Sequence, residues 1–170
     1  CMQSLFDLTE QPVAGQQWQS DNLWEVLSRT RVDHELDVFD ARRNTLQLAI
    51  EAEFSRPQAY HLLIAMTELG NNIVFHSCGG FLSLEARYAC NASGQHRRIV
   101  ALRVVAEDIG PGILNIDQAM QEGYSSINSM GCGLSGVCRL VDSVNIQSDS
   151  TGTRVEAVLW LDEQGRAMYG

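Results

Sequence analysis

Asp108-Ile109-Gly110-Pro111-Gly112-Ile113, then a polar loop, then Gly131-Cys132-Gly133-Leu134: this is the stretch around which the chain is organised. An Asp at the end of an apolar run, with glycines two and four places on, marks a strand that stops where a ligand needs close backbone approach. The Gly110-Pro111 pair marks a turn. Gly131 and Gly133 open a segment whose apolar residues, Leu134, Val137, Cys138, Leu140 and Val141, fall at helical spacing. The amides and dipole at the start of such a helix can face an anion. Two glycine clusters flanking a loop have the form of a nucleotide site, although glycine pairs also occur in ordinary tight turns.

At 170 residues, 45% hydrophobic and 19% charged, the composition predicts one globular domain with a sizeable core. A formal net charge of -9, with no basic cluster longer than Arg42-Arg43 or Arg97-Arg98, argues against nucleic acid as a partner. The basic residues are all arginines. Without lysine, a Walker P-loop, the strand lysine of protein kinases and a pyridoxal Schiff base are excluded. Cys1, Cys78, Cys90, Cys132 and Cys138 form no C-x-x-C pair and no zinc-like spacing with histidine, which fits a reduced, cytoplasmic setting. No apolar run is long enough to span a membrane, and Asp7 and Glu10 stand where a secretory signal would be basic and then apolar.

Residues 1 to 30 fit no single period and are read as an N-terminal extension of unknown role, with residues 31 to 170 as the domain proper. Within the extension, residues 20 to 29 are expected to form a helix capped by Ser20 or Asp21. Phe6, Trp18 and Trp24 are read either as a docking face or as packing on the domain itself. Leu36, Val38 and Phe39 predict a short strand, and Asp40 then caps a helix from about 41 to 54. Ser55 and Pro57 start a second helix with a core stripe of Leu62, Met66, Leu69 and Ile73, ending near His76. Leu82, Leu84, Ala86 and Tyr88 alternate with polar residues as in a half-buried strand. A turn at Asn91-Ala92-Ser93-Gly94 leads to a nearly continuous apolar strand, Ile99 to Ala106, which delivers Asp108. After the helix at 131 to 142, Val144 and Ile146 begin a strand, Asp149-Ser150-Thr151-Gly152 turns it, and Val155 to Leu161 returns. The pattern predicts an α/β (α+β) two-layer sandwich. Its sheet is mixed, mostly antiparallel, of four or five strands, faced by about three helices.

On the second helix Glu68 and Asn72 stand four apart and so share a face. An amide oxygen can coordinate Mg2+ without adding charge, and a carboxylate can accept a proton from a hydroxyl nucleophile. Such a pair is usually a solvated helix face. Here Asn71, Asn72 and His76 crowd the end of an otherwise apolar helix, where polar groups are costly unless they face a cavity.

Taken together, Glu68-Leu69-Gly70-Asn71-Asn72, Asp108-Ile109-Gly110-Pro111-Gly112, Gly131-Cys132-Gly133-Leu134 and Gly152-Thr153 resemble the four nucleotide-binding boxes of the GHKL (Bergerat-fold) ATPases, in order and spacing. The resemblance covers roughly residues 32 to 162. Within that superfamily, Gln118-Ala119-Met120, Gly123-Tyr124-Ser125-Ser126 and the run from Gly133 to Asp142 look like the switch protein kinases of RsbT type, near relatives of the anti-sigma-factor kinases. Two positions depart from the pattern. Asn71 stands where a basic residue is often found, and Cys132 sits inside the second glycine box, which raises redox sensitivity against a packed, inert thiol.

The resemblance implies a Bergerat ATP-binding fold that uses ATP and Mg2+. Asp108 would bind the adenine amine, supported by Thr153; Asn72 would hold Mg2+; and Glu68 would be the general base. Gly110 and Gly112 would pass close to the nucleotide, Gly131, Gly133 and Leu134 would form the phosphate cradle, and residues 114 to 130 would be a mobile lid. The implied activity is ATP-dependent phosphorylation of Ser or Thr on a STAS-type antagonist protein in a partner-switching module. Two alternatives stay open: an anti-sigma factor with kinase activity, with a sigma factor or a downstream regulatory enzyme as second partner, and a non-catalytic ATP-binding docking module.

Overall fold

The central hairpin pairs β2 (Gly80–Cys90) with β3 (Arg97–Ile109) antiparallel, Leu84 opposite Val104 and Gly80 opposite Asp108. The computed structural model describes residues 23 to 90, 97 to 120 and 133 to 169. The turn expected at 91 to 94 and the extension up to residue 22 lie outside the described residues. β1 (Trp24–Val32) pairs with β2, β5 (Gly152–Trp160) with β3, and β4 (Ser143–Asp149) with β5, giving the order β1-β2-β3-β5-β4. Every one of these pairings is antiparallel. The expected two-layer α+β sandwich is the architecture found, with five strands in a sheet that is antiparallel throughout.

The register puts Leu82, Leu84, Ala86, Leu102, Val104, Ala106, Val155, Ala157 and Leu159 on one face. All are buried there against α1 (Glu35–Glu51), α2 (Arg56–His76) and α4 (Gly133–Leu140). The stripe Leu62, Met66, Leu69 and Ile73 on α2 is almost wholly buried, as its spacing requires. Burying each such side chain contributes about 1.5 to 3 kcal/mol. Ser55 caps α2 by accepting from the Gln58 amide, while the Gln58 side chain accepts from the Ser55 amide at 3.0 Å. The Gln58 side-chain Nε2 donates to the Trp160 and Leu161 carbonyls, both at 3.2 Å, and so docks the start of α2 on the end of β5.

The opposite face carries a charged ladder. Arg103 pairs with Glu85 at 2.6 Å and Glu156 at 3.3 Å, Arg154 with Glu156 at 2.7 Å and with Glu107, and Arg29 with Glu107 at 3.3 Å. Trp24 lies under the Arg103 guanidinium at 4.6 Å, and Phe81 under that of Arg29 at 4.3 Å.

Two expectations are corrected. Residues 20 to 29 do not form a helix where described: Trp24 onward is the edge strand β1, and its bulge between Val26 and Ser28 erases the two-residue period that would have announced it. Residues 24 to 30 of the expected extension therefore belong to the sheet. Leu36, Val38 and Phe39 are not a strand but the first turns of α1. Leu36 and Phe39 are exposed there, while Val38, Ala41, Thr45 and Ala49 form the buried stripe. The Asp37 carboxylate accepts from the Asp33 and His34 amides, both at 2.9 Å, so α1 starts at Glu35 rather than after Asp40. Those amides hold the Asp37 carboxyl below the usual carboxylate range. Among the described residues, no helix is long and apolar enough to cross a membrane.

Candidate functional site

The end of the sheet nearest the C-terminus of α2 gathers the predicted residues of the second and fourth boxes. Asp108 on β3 and Thr153 on β5 are direct partners, and the Thr153 amide donates to Asp108 Oδ1 at 3.1 Å. Asp108 shares its face with Ala106 and Val104, the face that bears the helices. Desolvation outweighs the Thr153 hydrogen bond and pushes the Asp108 carboxyl up to about 6. The Thr153 hydroxyl hydrogen-bonds the Ser148 hydroxyl at 2.9 Å, and Ser148 Oγ accepts from the Ile113 amide at 2.7 Å.

Both glycines of this loop lie close to neighbouring segments. Gly112 has φ +73°, and a Cβ there would fall 2.0 Å from the Asp149 carbonyl oxygen. The Gly110 amide donates to the Thr151 carbonyl at 3.3 Å, and a Cβ on Gly110 would lie 3.3 Å from Ser77 Cβ. Ser77 is the C-cap of α2 and donates to the Ile73 carbonyl at 2.7 Å. The Asp108 loop is thus seated against the end of the helix that carries Asn72, which is half-buried.

One turn back on α2, Glu68 is only 4% exposed. Its carboxylate accepts a hydrogen bond from the Gly133 amide at the start of α4, while burial pushes its pKa above the usual carboxylate value. A buried carboxylate needs such a donor. The first amides of a helix have no partner within it and carry the positive end of its dipole. Leu134 is buried in the core beneath this helix start. Gly131 and Cys132 lie outside the described residues, as does the expected lid from residue 121 on. Short helix α3 (Ile116–Ala119) follows the Gly112 turn, and Met120 just after it lies 3.8 Å, sulfur to sulfur, from Cys138 of α4.

Ser148 and Ser77 are the two residues that sequence reasoning missed. Ser148 had a signal: it continues the inward alternation Val144, Ile146 on β4 and is polar where an apolar residue belongs. Ser77 had none, because only tertiary contact brings it to Gly110. Among the described residues no three His, Cys, Asp or Glu side chains cluster to hold a metal ion. A cation at Asn72 would thus find no such cluster among the described residues, and phosphate oxygens could serve among its ligands.

No family model matches the chain. It is 32% identical over 135 residues to the serine/threonine-protein kinase RsbT of Bacillus subtilis (strain 168), an alignment that covers 79% of this chain and 96% of that protein. At that identity over nearly the whole of the relative, the chain belongs to the RsbT family of serine/threonine-protein kinases.

Proposed function

We propose that this chain is an ATP-dependent serine/threonine kinase of the GHKL type, which phosphorylates a STAS-type antagonist protein in a cytoplasmic partner-switching module. The observation that carries the reading is the buried Glu68 carboxylate, set under the first amide of α4 and one turn from Asn72. A carboxylate so desolvated holds a proton more readily than one in water, as a general base near neutral pH must. The kinase domain is taken as residues 31 to 170 together with the paired strand that precedes it.

ATP is the phosphate donor in this reading. Asp108 accepts from the adenine amine, its carboxylate oriented by the Thr153 amide, and Gly110 and Gly112 pass beside the ring without side chains of their own. Gly131 and Gly133 supply amides for phosphate. Asn72 would hold Mg2+, which when bound would neutralise phosphate charge that no lysine is present to offset. Glu68 takes the proton of the substrate hydroxyl. The hydroxyl oxygen bonds to the γ-phosphorus as the bond to the β,γ-bridging oxygen breaks, and ADP departs with that electron pair.

The test is incubation of the protein with γ-labelled ATP and Mg2+ and with STAS-domain proteins encoded beside it. Label on a Ser or Thr of one of them is the expected result. Tight ATP binding without transfer to any of them would favour the non-catalytic docking module, and retention of a sigma factor in a pull-down would favour the anti-sigma branch.

A further inference from the structure

We propose that Ser148 is a positioning residue that sets base specificity: it turns the Thr153 hydroxyl proton toward the ligand, so that Asp108 and Thr153 present an acceptor beside a donor and select adenine over a 6-oxopurine. This rests on the ATP reading above and deepens it by naming the residue that decides which purine fits.

The hydroxyl protons can be counted. Ser148 Oγ accepts from the Ile113 amide at 2.7 Å. Its own proton has two acceptors in reach within the protein, Thr153 Oγ1 at 2.9 Å and the Gly152 carbonyl at 3.4 Å. A hydroxyl donor bonds well at about 2.5 to 3.0 Å, so the proton goes to Thr153. Only one proton fits between two hydroxyl oxygens, and the Thr153 proton therefore points away from Ser148. Thr153 is 5% exposed, and among the described residues its hydroxyl bonds to Ser148 alone. A buried donor without an acceptor is costly, which makes a ligand atom its partner.

Strand register sets that donor beside an acceptor. Thr153 and Asp108 are direct partners across β5 and β3, and such pairs stand about 4.5 to 5.5 Å apart at Cβ on one face of the sheet. Adenine carries an amine, which donates, next to N1, which accepts, and that edge meets Asp108 and Thr153 in turn. Guanine and hypoxanthine carry a carbonyl oxygen in place of the amine and a protonated N1 beside it. In the same seat an acceptor then faces the carboxylate and a donor faces a donor, and the site's own polar groups are left unpaired. Had the Thr153 proton been spent on Ser148, the Thr153 oxygen would accept from that N1–H, and half of the discrimination would be gone.

Calorimetry at pH 8, where the Asp108 carboxyl is ionised, measures binding of ATP, inosine triphosphate and 1-deaza-ATP, each with Mg2+, to wild type, Ser148→Ala and Ser148→Thr. Wild type is expected to bind 1-deaza-ATP about tenfold more weakly than ATP, because the buried donor loses its acceptor. Ser148→Ala frees the Thr153 hydroxyl to turn, so the preference for ATP over inosine triphosphate should shrink by about tenfold, the worth of one such bond. Ser148→Thr keeps the hydroxyl and should hold the wild-type ratio. A merely structural role for Ser148 would weaken both nucleotides together and leave the ratio as it was, which would overturn the proposal. Equal binding of ATP and 1-deaza-ATP by wild type would overturn it too. No binding of any of the three by wild type sinks the ATP reading and this inference with it, whereas ATP binding with an unchanged ratio in Ser148→Ala sinks the inference alone. Should Ser148→Ala not fold, Thr153→Val replaces it: the 1-deaza-ATP penalty should be present in wild type and absent in the variant, and an equal penalty in both would overturn the proposal.

Discussion

Asp108 and Thr153 face each other across β3 and β5, and the Thr153 amide donates to Asp108 Oδ1 at 3.1 Å. The bond orients a carboxylate that burial makes reluctant to ionise, with its pKa pushed up to about 6. An oriented, desolvated acceptor suits an exocyclic amine, because little water has to be displaced from it and a hydrogen bond to a charged group is worth more than a neutral one.

Asp108→Asn tests that acceptor. The amide oxygen can keep the Thr153 bond, but the negative acceptor is lost, at roughly 1.5 to 3 kcal/mol. ATP affinity should fall by at least about tenfold in calorimetry, that being the worth of 1.4 kcal/mol. Equal affinity in the two proteins would remove Asp108 from the adenine site.

The same substitution should stabilise the nucleotide-free protein at alkaline pH. Asp108 has a folded pKa near 6, above its unfolded value, so the folded state holds the proton more tightly. Stability from this group is therefore full below the unfolded value and is lost as pH rises through about 6. Thermal melts should show Asp108→Asn above wild type at pH 8, with the gap closing as pH falls below 6. A gap independent of pH would refute the desolvated carboxyl.

Glu68→Gln and Asn72→Ala should differ in kind. The first keeps size and shape while removing the proton acceptor, so transfer falls by about 10²- to 10⁴-fold with ATP affinity within a few fold. The second removes the proposed metal ligand and should weaken both transfer and Mg2+-dependent binding of a fluorescent nucleotide. Unchanged transfer in Glu68→Gln would eliminate the base.

Gly112→Ala places a methyl group where the Asp149 carbonyl oxygen would be 2.0 Å away, at φ +73°. The turn has to open, and the cost should exceed about 1 kcal/mol. Urea unfolding measures this directly, and ATP affinity should fall with it because the Asp108 loop is displaced. Wild-type stability would show that the loop yields freely.

Arg154→Met leaves Glu107 and Glu156 without their shared cation on the charged face of the sheet. Removing one member of such a buried network costs about 3 to 5 kcal/mol. The arginines also hold the Glu156 carboxyl below its usual value against the effect of burial. Its stabilisation is present above the unfolded pKa and is lost as pH falls through the folded one. The variant should accordingly lose less stability than wild type on acidification, and parallel pH profiles would contradict the network.

Much of the fold could be read from periodicity. The α2 stripe from Leu62 to Ile73, the alternation in β2 and the apolar run of β3 were visible because burial on one face writes itself into residue spacing. β1 and the start of α1 were not visible. β1 is an edge strand with a bulge, partly charged, and its backbone is satisfied only by pairing with residues more than forty places on, such as Phe81 and Arg87. Leu36 and Phe39 mimicked a strand because they are apolar yet exposed, and only the reach of Asp37 back to two amides starts a helix there.

For the candidate site, the sequence by itself determined which residues can do chemistry. The spacing of Glu68 and Asn72 on one helix face, the glycines around Pro111 and the absence of lysine are local or compositional facts, independent of how the chain closes. Only the tertiary structure decided what those residues face. Strand register sets Asp108 against Thr153, β4 supplies Ser148 beneath them, and the packing of α4 on α2 gives Glu68 the Gly133 amide. The reason is electrostatic. A carboxylate's proton affinity depends on the water excluded and the donors met after folding, and those neighbours come from segments distant in the chain.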